Sequence, residues 1–109
     1  MKRWLLHIVF FLLPVWATSQ QVLIIEVDGS INPVTADYIQ RGIDKAVAEK
    51  ASCLILKLNT PGGLLKSTRV IVSSILEAGV PVVVYVSPNG AHAGSAGVFI
   101  TMAGNIAAM

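Results

Sequence analysis

The sequence contains little cysteine and little net charge, and both absences exclude classes of protein. Cys53 is the single cysteine, so no disulfide can form within the chain. We interpret Cys53 as a buried small apolar residue rather than a reactive thiol, because no basic residue or helix start adjoins it. The net charge is only +2, and no basic cluster with interleaved aromatic residues is present. The sequence therefore excludes a nucleic-acid-binding protein, and it predicts neither a metal site nor a cofactor.

An apolar run long enough to span a membrane is also missing at the amino terminus. A positively charged start precedes an apolar run of about a dozen residues, whereas a spanning helix needs about twenty. Ala17-Thr18-Ser19 then places small residues before a cleavage point. This order predicts a secretory signal peptide over residues 1–19, so we expect an exported chain that begins at Gln20. The alternatives are an uncleaved anchor and a buried helix.

The rest of the chain alternates between short apolar runs and segments with helical spacing. The apolar runs are residues 22–27, 53–58 and 80–86. Runs of this length suit strands of a parallel sheet that are buried on both faces. Asn32 and Pro33 can open the first helix, and Gly79 can end the second. The alternation predicts an α/β fold, a parallel sheet with right-handed βα crossovers.

A last helical segment begins at about Gly94, and we expect it to continue to Met109. A natural domain usually closes with a capped or docked element, so we expect the fold to be incomplete in this chain. In a parallel sheet, the loops at the carboxyl ends of the strands meet at one edge, where ligands bind. Two of these loops have residues suited to chemistry.

The first is the glycine loop, residues 59–63, which reads Asn-Thr-Pro-Gly-Gly. Gly62 and Gly63 stand directly before a predicted helix, so backbone N–H groups and the positive end of the helix point at the same place. Such a site can stabilise the oxyanion of an acyl-transfer reaction. Taken alone, the pattern is more typical of an ordinary Pro-Gly turn.

The second is the serine segment, residues 87–98, in which a strand turns into a helix made almost wholly of small residues. Its small neighbours leave Ser95 uncrowded near the helix start, and the N–H of Ala96 can join the glycines in binding an oxyanion. This presentation of a nucleophile is a recurring device, although it is not the Gly-x-Ser-x-Gly elbow. Alone, such a helix start more often reflects tight packing.

Together, Asn59-Thr60-Pro61-Gly62-Gly63 and Ala93-Gly94-Ser95-Ala96-Gly97 resemble the ClpP-class serine peptidases. The similarity is to the membrane-associated NfeD-type branch, whose chemistry resembles that of signal peptide peptidase A. The resemblance implies a ClpP/crotonase-like fold, with residues 20–109 as the amino-terminal part of the peptidase domain. It also implies Ser95 as the nucleophile, and the loop of Gly62 and Gly63 with the Ala96 N–H as the oxyanion hole.

The same resemblance implies a Ser-Lys dyad whose lysine follows beyond Met109, so we expect this chain alone to be inactive. The implied substrates are apolar segments of membrane-associated proteins, with a stomatin-like membrane protein as a partner, at the periplasmic or extracytoplasmic face. The resemblance is also compatible with a homo-oligomer. His92 and Lys57 are the alternatives for a base within the chain. A solvent-facing histidine and a strand-end lysine are the more ordinary interpretations.

Two other functions stay open at this point. A crotonase-type enzyme that acts on acyl-coenzyme A shares the fold and the oxyanion hole, but export argues against a cytoplasmic cofactor. A non-catalytic binding or scaffold module at the membrane is the second.

Overall fold

The computed structural model describes residues 20–109, and the predicted signal peptide over residues 1–19 lies outside the described residues. The elements, in chain order, are β1 (Val22–Asp28), α1 (Pro33–Ala48), β2 (Cys53–Asn59), α2 (Leu65–Leu76), β3 (Val82–Val86), α3 (Ala96–Ala103) and β4 (Ile106–Ala108). The four strands form one sheet in the order β1-β2-β3-β4, and every pair is parallel. The predicted α/β architecture with a parallel sheet is confirmed.

The start of α1 follows from Asn32 and Pro33, as the sequence predicts. The Asn32 Oδ1 accepts a hydrogen bond from the Thr35 N–H at 3.0 Å, and Pro33 occupies the first helical position. A side-chain cap of this kind stabilises a helix by about 1 kcal/mol. Ile39 and Ile43 are buried and hold α1 against the sheet.

All three helices contribute to one apolar core on one face of the sheet. In the two inner strands this face is made of Leu54, Leu56, Leu58, Val82, Val84 and Val86. The opposite face is only partly covered, and there Ile24, Ile55 and Val83 lie side by side in register. Ile24 is 59% exposed, so burial of the strands on both faces was a wrong expectation. The continuous apolar runs reflect a sheet whose second face also has apolar side chains but is only partly covered.

The end of the chain differs from the predicted helix. Helix α3 ends at Ala103, and residues 106–108 form β4 beside β3. Asn105 makes this turn possible, because its N–H donates to the Val82 carbonyl at 2.8 Å and its Oδ1 accepts from the Val82 N–H at 2.9 Å. The helix stops because these two hydrogen bonds dock the chain onto the sheet.

The longest helix of the described part is α1, with 16 residues. Within residues 20–109, no helix has both the length and the hydropathy needed to cross a membrane.

Candidate active site

The candidate site lies at the edge of the sheet where β1, β2 and β3 end. Two isolated bridges extend the parallel pairing beyond the strands, Ile31 with Gly63 and Thr60 with Ala93. The Thr60 N–H donates to the His92 carbonyl at 2.8 Å, which fixes the second bridge. The glycine loop and the serine segment therefore lie side by side, as their positions in a parallel sheet predict.

Ser95 is exposed and occupies the position directly before α3. Its backbone has φ 51° and ψ −109°, a conformation that residues other than glycine rarely adopt. Its hydroxyl makes no capping hydrogen bond to the helix. A strained backbone of this kind persists only where the surrounding structure holds it in place. The result is a hydroxyl at the start of a helix that is open to a ligand.

Both glycines of the glycine loop are required by a close approach. At Gly62, φ is +120°, and a Cβ there would lie 2.8 Å from the Ser95 Cβ and 3.4 Å from the Ser95 Oγ. At Gly63, a Cβ would overlap the carbonyl oxygen of Ile31. The first glycine lets the loop contact Ser95, and the second lets it pair with the chain that leaves β1.

The backbone N–H groups near Ser95 differ in whether they are already bonded. The Gly62 N–H donates to the Thr60 Oγ1 at 3.1 Å. The N–H groups of Gly63 and Ala96, by contrast, have no hydrogen-bond acceptor within residues 20–109. Of the two glycines predicted for the oxyanion hole, Gly63 therefore has the N–H without an acceptor. Gly62 packs against Ser95 instead.

The direction of the Gly63 N–H is set by the peptide group that joins it to Gly62. The Gly62 carbonyl accepts from the Ile31 N–H at 2.9 Å, and the Thr60 Oγ1 lies 3.3 Å from the same oxygen. In a trans peptide the carbonyl and the following N–H point in opposite directions. The Gly63 N–H therefore points away from Ile31 and Thr60, close to the positive end of α2.

The residues considered as bases do not join Ser95. His92 is exposed and lies in the loop before α3, so it does not share a helical face with the serine. Lys57 is half-buried within β2, on the face of the sheet opposite the helical core. In the described part of the chain, no hydrogen bond joins the Ser95 Oγ to a lysine or histidine side chain.

Asn59 is a residue that the sequence did not single out for the site. Its Oδ1 accepts from the His92 N–H at 3.2 Å, and its Nδ2 donates to the Asp28 Oδ1 at 3.2 Å. Its carbonyl accepts from the Gly29 N–H at 2.9 Å. The side chain thus links all three loops at this edge. A polar residue directly after the apolar run 53–58 was the signal for it.

The sequence of the chain is similar to those of known proteins. Residues 21–109 match the sequence model of the family described as the NfeD1b N-terminal domain. The chain is 35% identical over 112 aligned residues to the membrane-bound protease PH1510 of Pyrococcus horikoshii. That match covers all of this chain and 25% of the relative. The membrane protein NfeD1b of Bacillus subtilis is 34% identical over 79 residues, which are 72% of this chain and 18% of the relative.

Solved structures of the Pyrococcus protease domain have the same fold. A serine-to-alanine variant of this stomatin-specific protease superposes with a TM-score of 0.84 at 33% identity, over 85% of this chain and 45% of that chain. A lysine-to-alanine variant, solved with a substrate peptide, gives 0.83 at 34% identity, over 85% and 42%. ClpP1 of Listeria monocytogenes gives 0.68 at 20% identity, over 74% and 46%, which shows the ClpP-like fold. The chain spans less than half of each of these proteins.

Proposed function

Because the chain belongs to the family of NfeD1b N-terminal domains, we propose that residues 20–109 form the nucleophile-bearing part of a ClpP-like serine endopeptidase domain. The observation that carries this proposal is the contact between the glycine loop and the serine segment. The contact joins Gly62 to Ser95, whose side chain is exposed, and the N–H groups of the adjacent residues Gly63 and Ala96 have no acceptor within residues 20–109. The relation to a membrane-bound protease supports the same assignment.

In the proposed reaction, the Ser95 Oγ attacks the carbonyl carbon of a peptide bond while its proton passes to a neutral lysine. The carbonyl oxygen becomes an oxyanion, which the N–H groups of Gly63 and Ala96 stabilise. The C–N bond then breaks, the lysine returns the proton to the leaving amine, and an acyl-enzyme remains on Ser95. Water hydrolyses this ester with the same lysine as base, which regenerates the hydroxyl.

The general base is assigned to a lysine outside this chain. Lys57 lies on the face of the sheet opposite the helical core, and Lys66 is exposed at the start of α2, so neither is assigned as the base. Burial lowers the pKa of a lysine enough to make it a base near neutral pH. A solved relative in which a lysine is replaced by alanine while a substrate peptide is bound supports a lysine in this role.

The proposed substrates are apolar segments of membrane-associated proteins, and the proposed partner is a stomatin-like membrane protein. Support comes from the Pyrococcus relative, which is a stomatin-specific protease. The proposed location is the extracytoplasmic face of the membrane, after cleavage of the signal peptide over residues 1–19. Both relatives named above are membrane proteins.

The test uses the complete gene product, an apolar peptide from a stomatin-like protein and a fluorophosphonate probe. Ser95→Ala should lower kcat by a thousandfold or more, because loss of a covalent nucleophile costs on the order of several powers of ten. It should also abolish labelling, while His92→Ala should keep most of the activity. Residues 20–109 alone should neither cleave nor label, because the base is absent.

Three outcomes would contradict the proposal. Cleavage that survives Ser95→Ala would remove the serine from the mechanism. Cleavage by residues 20–109 alone would place the base within this chain, with His92 and Lys57 the first to test. A complete gene product that cleaves no peptide would favour a non-catalytic module. If it also turned over an acyl-coenzyme A, a crotonase-type enzyme would be favoured instead.

A further inference from the structure

Thr60 is a buried polar residue that bonds to both halves of the candidate site. It follows β2 directly and has no exposed surface. Its N–H donates to the His92 carbonyl at 2.8 Å, and its carbonyl accepts from the Gly94 N–H at 2.9 Å. Its side chain turns the other way, toward the glycine loop, where the Oγ1 accepts from the Gly62 N–H at 3.1 Å. One residue therefore connects the serine segment to the glycine loop.

The Thr60 hydroxyl acts on the peptide groups on both sides of Gly62. It bonds the Gly62 N–H, and it lies 3.3 Å from the Gly62 carbonyl, which also accepts from Ile31. With both polar groups of Gly62 held, the Gly62–Gly63 peptide has a fixed plane, although glycine would otherwise rotate freely. The direction of the Gly63 N–H follows from that plane.

The methyl group of Thr60 has a separate role on the other side. A Cβ at Gly97 would lie 2.8 Å from the Thr60 Cγ2, so this methyl packs closely against the first turn of α3. The hydroxyl of Thr60 therefore faces the glycine loop, and its methyl faces the serine segment. Substitutions that remove one and keep the other can separate their effects.

We propose that Thr60 is a positioning residue, whose hydroxyl orients the Gly63 N–H toward the oxyanion of the reaction. The proposal rests on the proposed function, since it gives the Gly63 N–H a role only if Ser95 attacks a carbonyl. Thr60 touches neither substrate nor reacting atoms and acts through Gly62. Its loss should therefore lower the rate of the chemical step more than the binding of substrate.

Two variants of the complete gene product test the hydroxyl. Thr60→Val keeps the shape and removes the hydroxyl, whereas Thr60→Ser keeps the hydroxyl and removes the methyl. We expect Thr60→Val to lower kcat by about tenfold to a hundredfold, the cost of misplacing a catalytic group by a fraction of an ångström to 1 Å. KM should change by less than about threefold, because ground-state binding does not depend on the oxyanion donor. Thr60→Ser should restore most of kcat.

A matched control is Thr68→Val, the same substitution at another buried threonine. The Thr68 hydroxyl donates to the Leu64 carbonyl at 2.9 Å in the first turn of α2, and no hydrogen bond of the described part joins it to Gly62 or Ser95. This variant should lose stability with little loss of kcat. If Thr68→Val lowered kcat as much as Thr60→Val, the effect would be one of stability, and the proposal would be wrong.

Amide hydrogen exchange gives a readout that does not need activity. In Thr60→Val the Gly62 amide should exchange at least about tenfold faster than in Thr60→Ser, because its acceptor is gone. If neither the parent nor any variant cleaves, the proposed function fails, while this exchange ratio still decides whether Thr60 holds the glycine loop. Equal Gly62 exchange in the two variants, or unchanged kcat in Thr60→Val, would overturn the proposal.

Discussion

The contact between Gly62 and Ser95 leads to a quantitative prediction for the Gly62→Ala variant. The new methyl would lie 2.8 Å from the Ser95 Cβ, closer than carbon atoms pack, so one of the two loops must move. Overpacking of this kind costs about 1–3 kcal/mol. The backbone at Gly62 has φ +120°, and forcing alanine into such a conformation costs about another 1–3 kcal/mol. We expect a total loss of about 2–6 kcal/mol in the free energy of unfolding.

Gly29 offers a control that separates these two costs. Its φ is +133°, close to that of Gly62, but a Cβ there would meet no atom within 4 Å. Gly29→Ala therefore has the backbone strain without the collision and should lose only about 1–3 kcal/mol. The difference between the two variants, about 1–3 kcal/mol, measures the contact with the serine.

Urea denaturation of the complete gene product, with the m-values compared, provides the measurement. A double variant adds a second check, because Ser95→Gly removes the Cβ that the new methyl would strike. In that background the new methyl keeps only its 3.3 Å approach to the Gly94 carbonyl oxygen, so Gly62→Ala should cost close to what Gly29→Ala costs. The double-mutant cycle should show a coupling of about 1–3 kcal/mol. Equal losses for Gly62→Ala and Gly29→Ala in the Ser95 background would refute the packing of the glycine loop against the nucleophile.

Two further predictions concern a buried hydroxyl and the amino terminus. Within the described part, the Ser87 Oγ is buried without a hydrogen-bond partner, so Ser87→Ala should leave the free energy of unfolding unchanged or raise it by about 1 kcal/mol. Ser74→Ala is the matched control, because the Ser74 hydroxyl donates to the Val70 carbonyl at 2.9 Å. A larger loss in thermal stability for Ser87→Ala than for Ser74→Ala would contradict the prediction for Ser87. The exported product should begin at Gln20 in N-terminal sequencing, and retention of residues 1–19 would identify an anchor instead.

Local sequence signals predicted most of the sheet and the start of α1. The apolar runs at 22–27 and 53–58 became β1 and β2 with one further residue each, because their side chains alternate into a common core. The third run began two residues too early, at Val80, because Pro81 has no N–H to donate to a strand ladder. Val80 is nevertheless buried, so it belongs to the core without belonging to the strand.

The fourth strand could not be predicted from local signals. Alanine favours helix, so Ala107 and Ala108 extended the helical pattern of α3. What ends the helix is the pair of hydrogen bonds between Asn105 and Val82, residues that lie 23 positions apart in the chain. A contact of this range depends on the folded sheet, and composition does not reveal it.

For the site, the sequence predicted which segments meet but not which atoms are free. Gly62 and Gly63 look equivalent in the sequence, and only the fold shows that the Thr60 hydroxyl already bonds the first N–H. The sequence does not predict a role for Thr60, because a threonine before Pro61 is typical of an ordinary turn. Hydrogen bonds within a loop depend on its backbone angles, which residue types alone do not determine.

The unusual backbone conformation of Ser95 is held by hydrogen bonds on both sides of the residue. The residue before Ser95 is held on one side, since the Gly94 N–H donates to the Thr60 carbonyl at 2.9 Å. The residue itself is held on the other, since its carbonyl accepts from the Val98 N–H at 3.0 Å. One anchor belongs to the isolated bridge that follows β2 and the other to the first turn of α3, so the positive φ between them is held by the fold. In the proposed reaction, a lysine base would meet a serine whose backbone is already held in place, which lowers the entropic cost of assembling the dyad.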